Sequence, residues 1–213
     1  MYWKGYSLDF ADSERSSAAP AGPITSAKIV IAGGFGVGKT TMVGAVSEIT
    51  PLTTEAMMTV AGIGLDDPSK VPNKMTTTVA MDFGRITISQ DLILYLFGTP
   101  GQTRFWFMWD EICRGAIGAV VLVDTRRVED SFAPIDFFES RSIPYLVAVN
   151  CFDGAPYYEM EEIREALTIN RNVPLLPCDA RKRESAKQIL IDVVRHALSL
   201  LHVERARASA GMS

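Results

Sequence analysis

Residues 27–41, "AKIVIAGGFGVGKTT", constrain this chain more than any other stretch. An unbroken apolar run enters a glycine-rich turn that satisfies G-x-x-x-x-G-K-[ST] from Gly33 to Thr40, and helical spacing resumes in "KTTMVGAVSEI". A buried strand, a phosphate-cradling loop and a helix follow one another in this order. Glycines permit a tight loop whose N–H groups face an anion, and the helix N-terminus adds a favourable dipole. Lys39 is then placed to neutralise the β- and γ-phosphates, and Thr40 to offer its hydroxyl to Mg²⁺.

Strand and helix patterns alternate downstream. "TVAMDFGRITIS" and "DLILYLFG" flank a Gln90-Asp91 turn and read as a hairpin. "GAVVLVD" and "PYLVAVN" are continuous apolar runs of the kind found in strands buried on both faces, and "VPLLP" is a shorter one. Helical stretches are expected over residues 129–140, 160–167 and 184–201, and a long loop over 51–72. This order predicts an α/β fold with a mostly parallel six-stranded sheet, one antiparallel strand and helices on both faces. Residues 1–25, rich in Ser, Ala, Pro and Gly after an aromatic start, read as a flexible leader. Residues 26–204 read as the domain and 205–213 as a flexible tail.

Composition removes several alternatives. A formal charge of −4 gives no reason to expect direct contact with nucleic acid. Cys113, Cys151 and Cys178 have no metal-ligand spacing and suit a reducing compartment. The longest apolar stretch, Ala116 to Val123, is far short of the ~20 residues that cross a bilayer. The start lacks a signal-peptide core, and neither a myristoylation start nor a prenylation box is present. A cytoplasmic protein without membrane insertion is expected.

Many folds share a phosphate loop, so the class rests on the elements downstream of it. "TTTVAMDF" puts Thr78 ahead of a strand, "GTPGQ" keeps Gly101 and Gln102 of D-x-x-G-Q, "NCFD" keeps Asn150 and Asp153 of N-K-x-D, and "CDAR" keeps Ala180 of S-A-K. These elements resemble Ras-like GTPases in order and spacing over residues 26–203. The "DFG" at Asp82-Phe83-Gly84 is no kinase motif, because the H-R-D loop is absent. A small-molecule kinase is disfavoured as well: no arginine-rich lid segment is visible, and "NCFD" would have no purpose there.

"AGGFGVGKTT", "LILYLFGTPGQ", "RFWFMWDE" and "GAIGAVVLVD" together closely resemble the small GTPases of actinobacterial conservon operons. These include the mycobacterial fluoroquinolone-resistance GTPase partner and are related to Mgl-type polarity GTPases. The resemblance implies a GTP/GDP switch that needs Mg²⁺ and works with roadblock/LC7-fold proteins, with sensor-like components and, in some members, with a pentapeptide-repeat protein. It implies nucleotide contacts from Gly33, Gly36, Val37, Gly38, Lys39, Thr40, Thr41, Gly101, Asn150, Asp153, Ala180 and Arg181. Gln102, Lys39 and Thr78 would carry the chemistry.

Base choice follows from hydrogen-bond geometry. A carboxylate at Asp153 can accept from guanine N1–H and N2–H₂ together, and adenine leaves it unsatisfied at a cost of ~1–3 kcal/mol or more. Asn150 would brace the loop, and the Ala180 N–H would meet guanine O6. Cys151 stands where the pattern has a lysine over the base.

The reacting end departs from the pattern. Gly98 replaces the aspartate that serves Mg²⁺, Phe35 replaces a glycine of the phosphate loop, and Pro100 stiffens the approach to Gln102. Gly98 marks either a degenerate site or a substitution. In the second case Asp82, on the neighbouring hairpin strand, fills the space that Gly98 leaves and joins Thr40 and Thr78 around the metal. The competing view of Asp82 is a surface carboxylate on an exposed strand. Gln102 would orient the attacking water. Arg104 is either an internal arginine for the transition state or a structural or partner-facing side chain. In "RFWFMWDEICRG" a helix cannot bury all of Phe105, Trp106, Phe107, Met108 and Trp109, so part of this surface should be exposed or covered by a partner. The expected activity is slow GTP hydrolysis, the alternative a catalytically inert guanine-nucleotide scaffold.

Overall fold

A computed structural model describes residues 24–59 and 76–210. β1 (Thr25–Gly33) leads into α1 (Lys39–Val46), and then β2 (Leu52–Thr59), β3 (Thr76–Ser89) and β4 (Leu92–Gly98) follow. Next come a 3-10 turn over Thr103–Met108, α2 (Trp109–Cys113), β5 (Ala116–Val123), a second 3-10 turn at Val128–Ser131 and α3 (Phe132–Ser140). β6 (Tyr145–Asn150), α4 (Met160–Leu167), β7 (Leu175–Cys178) and α5 (Arg183–Ala210) complete the chain.

The sheet order is β2-β3-β4-β1-β5-β6-β7. β3 runs antiparallel to both neighbours, and every other described pairing is parallel, so one strand opposes the rest as expected. Alternation along the central strands divides the core. Ile29, Ile31, Leu122 and Leu146 face α1 and α5, while Val30, Ala32, Val121 and Val147 face α2, α3 and α4. Helices therefore cover both faces, which explains why these strands read as unbroken apolar runs. Because β1, β5 and β6 are parallel, their C-terminal ends bring Gly33, Asp124 and Asn150 to one edge, where ligands of such sheets bind.

Three segments differ from the expectation. β2 lies within the span read as a loop and adds a strand at the sheet's edge, bringing the count to seven. Its Thr-rich sequence suits an edge strand, but it lacks the apolar alternation that reveals half-buried ones. Thr78, expected ahead of a strand, lies inside β3 opposite Met57. α5 runs on to Ala210, through most of the expected tail, because "ERARASA" consists mainly of good helix formers. The leader apart from its last residues, and residues 60–75, lie outside the described residues.

The aromatic run sorts itself by a change of helix type. Phe105 and Trp109 are buried, Trp106 and Met108 half-buried, and Phe107 is exposed. Trp109 packs edge-on to Phe137 at a centroid distance of 5.1 Å, and its indole N–H donates to the Pro100 carbonyl at 3.3 Å. Among the described residues no helix is long and apolar enough to cross a membrane.

Candidate functional site

The phosphate loop turns through three glycines with positive φ: Gly33 at 134°, Gly36 at 74° and Gly38 at 105°. Side chains rarely adopt these angles, so the loop depends on glycine at each. α1 starts at Lys39 with no acidic residue in its first turn, which leaves its N-terminal dipole open to an anion. Lys39 is buried and folds back over its own loop, donating to the Gly33 carbonyl at 2.9 Å and the Gly34 carbonyl at 2.6 Å. Burial pushes its ammonium down to about 8, against the opposing pull of Asp82 and Asp130. Val37 is buried, and Phe35 and Thr41 are exposed.

The reacting end assembles around glycines. The Thr40 hydroxyl donates to Asp82 Oδ2 at 2.7 Å, and Asp82 is only 9% exposed. Asp82 is therefore no surface carboxylate. A Cβ on Gly98 would stand 3.0 Å from Asp82 Oδ2 and 3.1 Å from its Cβ, so the missing side chain at 98 is the space that Asp82 fills. At Gly101 a Cβ would meet Lys39 Nζ at 2.7 Å and the Phe35 Cα at 2.9 Å. Gly101 thus lies against the phosphate loop and sets Gln102 at its rim. The structure does not bring Thr78 to this group: four residues along a strand at ~3.3 Å each place its backbone roughly 13 Å from that of Asp82. The side chains of Thr78 and Arg104 lie outside the described residues.

On the base side, Asn150 joins two loops. Its Nδ2 donates to the Val37 carbonyl at 2.9 Å, and its Oδ1 accepts from the Ala180 N–H at 3.0 Å. Asn150 is buried, so both bonds are made away from water. The Ala180 N–H, expected to face guanine O6, is engaged by Asn150 instead. Asp153 is exposed and pairs through Oδ2 with Arg181 Nη1 at 3.0 Å. Arg181 also grips Asp179 with Nε at 2.9 Å and holds that carboxyl well below the usual range. Cys151 is exposed, and beside it the Arg126 guanidinium lies 3.9 Å from the Phe152 ring centroid.

Sequence reasoning passed over the connection after β5. Asp124, only 2% exposed, accepts a two-point fork from Arg126, with Nε at 2.9 Å and Nη2 at 2.7 Å. That fork keeps its carboxyl well below the usual range and commits it to arginine rather than to a cation. Asp130 packs on the phosphate loop so closely that a Cβ on Gly34 would lie 2.6 Å from its own Cβ. Arg127 Nη2 donates to the Phe35 carbonyl at 2.7 Å. The available signal was an acidic residue ending an apolar strand in "GAVVLVD". Among the described residues no group of three or more His, Cys, Asp or Glu could hold a metal ion. The Thr40 hydroxyl and the Asp82 carboxylate lie together at this edge and could serve a Mg²⁺ ion that keeps phosphate and water ligands.

Comparison with known proteins agrees with this architecture. Residues 31–200 match the model of a family described as conserved hypothetical ATP binding protein. An uncharacterized protein of Methanocaldococcus jannaschii, MJ1339, is 34% identical over 128 residues, which cover 59% of this chain and 70% of that protein. Among solved structures, the FeoB G-domain from Methanococcus jannaschii superposes with a TM-score of 0.55 at 13% identity, covering 82% of this chain and 99% of that one. The cytosolic domain of the T. maritima FeoB iron transporter in a GDP form gives 0.58 at 16% identity, covering 83% of this chain and 65% of that one. At such identities these structures share the fold.

Asn150→Ala removes both halves of the stitch and leaves the Val37 carbonyl and the Ala180 N–H without their partner. Denaturant unfolding should show a loss of ~1–3 kcal/mol, and nucleotide affinity should fall with it. An unchanged midpoint and an unchanged affinity together would mean that the two loops do not depend on this side chain.

Proposed function

The chain belongs to the family described as conserved hypothetical ATP binding protein, and from that premise we propose that it is a guanine-nucleotide switch. It binds GTP and GDP with Mg²⁺ and slowly converts GTP and water to GDP and phosphate. The observation that carries this reading is the Asn150 stitch, which ties the start of the loop bearing Asp153 to the phosphate loop through two buried hydrogen bonds. The resemblance to conservon-type GTPases extends the proposal to signalling through a roadblock-type partner. The exposed Phe35 and Phe107 supply apolar surface for such a contact.

Base choice rests on Asp153. Arg181 holds Oδ2, so the carboxylate is oriented and its oxygens keep lone pairs that can accept from guanine. The family's description favours a second reading, an adenine nucleotide. Competition against a fluorescent guanine nucleotide separates the two: GTP and GDP should displace it, while ATP should fail even in large excess. Asp153→Asn should shift preference toward xanthine nucleotides, because an amide reverses one donor–acceptor pairing. Equal displacement by ATP would replace the guanine reading with the adenine one.

Turnover rests on Gln102, and the contact of the preceding Gly101 with the phosphate loop supports that role. Phosphoryl transfer mainly needs positioning and charge neutralisation. Gln102→Ala should leave nucleotide affinity nearly unchanged and lower single-turnover GTP hydrolysis by at least ~10-fold, as for a group that acts in the transition state. A wild type with no hydrolysis above buffer would make the protein an inert scaffold.

Mg²⁺, when bound, neutralises the outer phosphates, and Thr40 and Asp82 are the residues that would hold it. Losing a supporting ligand typically weakens metal affinity by ~10–100-fold. In a magnesium titration of nucleotide release, Asp82→Ala should shift the midpoint upward by that factor. The double variant Asp82→Ala/Gly98→Asp should recover part of the shift, since position 98 borders the vacated space. Superimposed curves for wild type and Asp82→Ala would remove Asp82 from the metal site.

A further inference from the structure

We propose that Arg127 is a phosphate-contacting residue, an arginine carried on the chain's own β5–α3 connection that serves the terminal phosphate of a bound nucleoside triphosphate. This inference rests on the nucleotide-binding reading above, though not on the identity of the base.

Its position is the first reason. Arg127 Nη2 lies 2.7 Å from the Phe35 carbonyl and 3.6 Å from where a Cβ on Gly36 would stand. The guanidinium therefore rests against the third and fourth residues of the phosphate loop. An arginine side chain can sweep several ångströms from a fixed backbone, and this one is 44% exposed.

Its spare donors are the second reason. A guanidinium has five N–H donors. Among the described residues, only the bond to the Phe35 carbonyl is at hydrogen-bond length, while Asp130 and Asp124 stand off at 3.6 and 3.8 Å. The adjacent Arg126 is the opposite case: a two-point fork to Asp124 and the stack on Phe152 commit it to a structural position. Of two neighbouring arginines, one anchors the connection and the other keeps its fork available.

Local charge is the third reason. Asp130 packs against Gly34, so a fixed negative charge borders the loop that would receive a polyanion. Lys39 is already tied to two loop carbonyls. Arg127 faces Asp130, Asp124 and the Phe35 carbonyl, and it can exchange these weak contacts for a two-point contact with phosphate oxygens. Its permanent charge then offsets both Asp130 and the terminal phosphate.

If Arg127 merely tethered the loop from outside, its loss would weaken diphosphate and triphosphate binding alike. The test is the ratio of GTP to GDP affinity in the full chain, measured for wild type, Arg127→Ala, Arg127→Lys and Asp130→Asn, with ATP and ADP run in parallel. Arg127→Ala should lower triphosphate affinity by about 10–100-fold, the span of one lost charge-assisted contact, and change diphosphate affinity much less. Arg127→Lys keeps the charge without the fork and should fall between. Asp130→Asn should move the ratio the other way. An unchanged ratio in Arg127→Ala, or equal losses for both nucleotides, overturns the proposal and leaves nucleotide binding intact. A wild type that prefers adenine nucleotides overturns the guanine reading, while its ATP/ADP ratio still decides Arg127. Failure of the wild type to bind any nucleotide overturns both.

Discussion

The site depends on the absence of side chains at four glycines, because each lies where a functional group closes in. Asp130 crowds Gly34, Asn150 crowds Gly38, Asp82 crowds Gly98 and the Lys39 ammonium crowds Gly101, all within 3.0 Å of where a Cβ would stand. Four segments far apart in sequence therefore meet around a single loop. Their approach is steric before it is electrostatic: a methyl group at any of these positions would force the partner or the backbone to shift. The left-handed turns at Gly33, Gly36 and Gly38 shape the loop, and these close contacts fix what surrounds it.

Much of this arrangement was legible in the sequence, wherever local chemistry determines geometry. The strand–loop–helix order of residues 27–41, the hairpin about Gln90-Asp91 and the buried strands all follow from patterns within a few residues. That Asp82 and Gly98 lie on neighbouring strands was legible too, because the hairpin makes their strands adjacent. The register was not, since a bulge between Thr87 and Ser89 shifts the pairing by one residue and brings Phe83 opposite Phe97. What stayed hidden depends on contacts between distant segments. Nothing local marks Asp130 as a neighbour of Gly34, or directs the Ala180 N–H to Asn150 rather than outward. β2 was missed because an edge strand gains its pairing from β3 rather than from its own periodicity.

The charges around the loop form a sequence of partial compensations. Asp124 is buried and fully engaged by Arg126, so it fixes the connection after β5 without adding field at the loop. Asp82 and Asp130 both act on Lys39, and burial still outweighs them in setting its proton affinity. A polyanion arriving at this loop would meet a lysine that still carries its proton at neutral pH, and its negative charge would hold that proton more firmly. Within this local field a bound nucleotide and the proton on Lys39 favour each other.

With Asp82, and not position 98, supplying the carboxylate beside Thr40, a different segment borders that space. In the Ras-like pattern the carboxylate opens the segment that carries the catalytic glutamine, so metal and glutamine are joined in one stretch of chain. Here that stretch is held by other means. The Thr99 N–H donates to the Ile31 carbonyl at 2.9 Å, the Pro100 carbonyl accepts from Trp109, and Gly101 abuts Lys39. Asp82 belongs to β3, which pairs with the edge strand β2 over eight residues. Asp82 pairs with Thr53 of β2, and β3 meets β4 from Phe83 onward, so a pull on Asp82 acts on these paired strands and reaches Gln102 through Gly98. The hairpin edge, rather than the glutamine segment, is the part of this fold most directly coupled to what occupies the space beside Thr40.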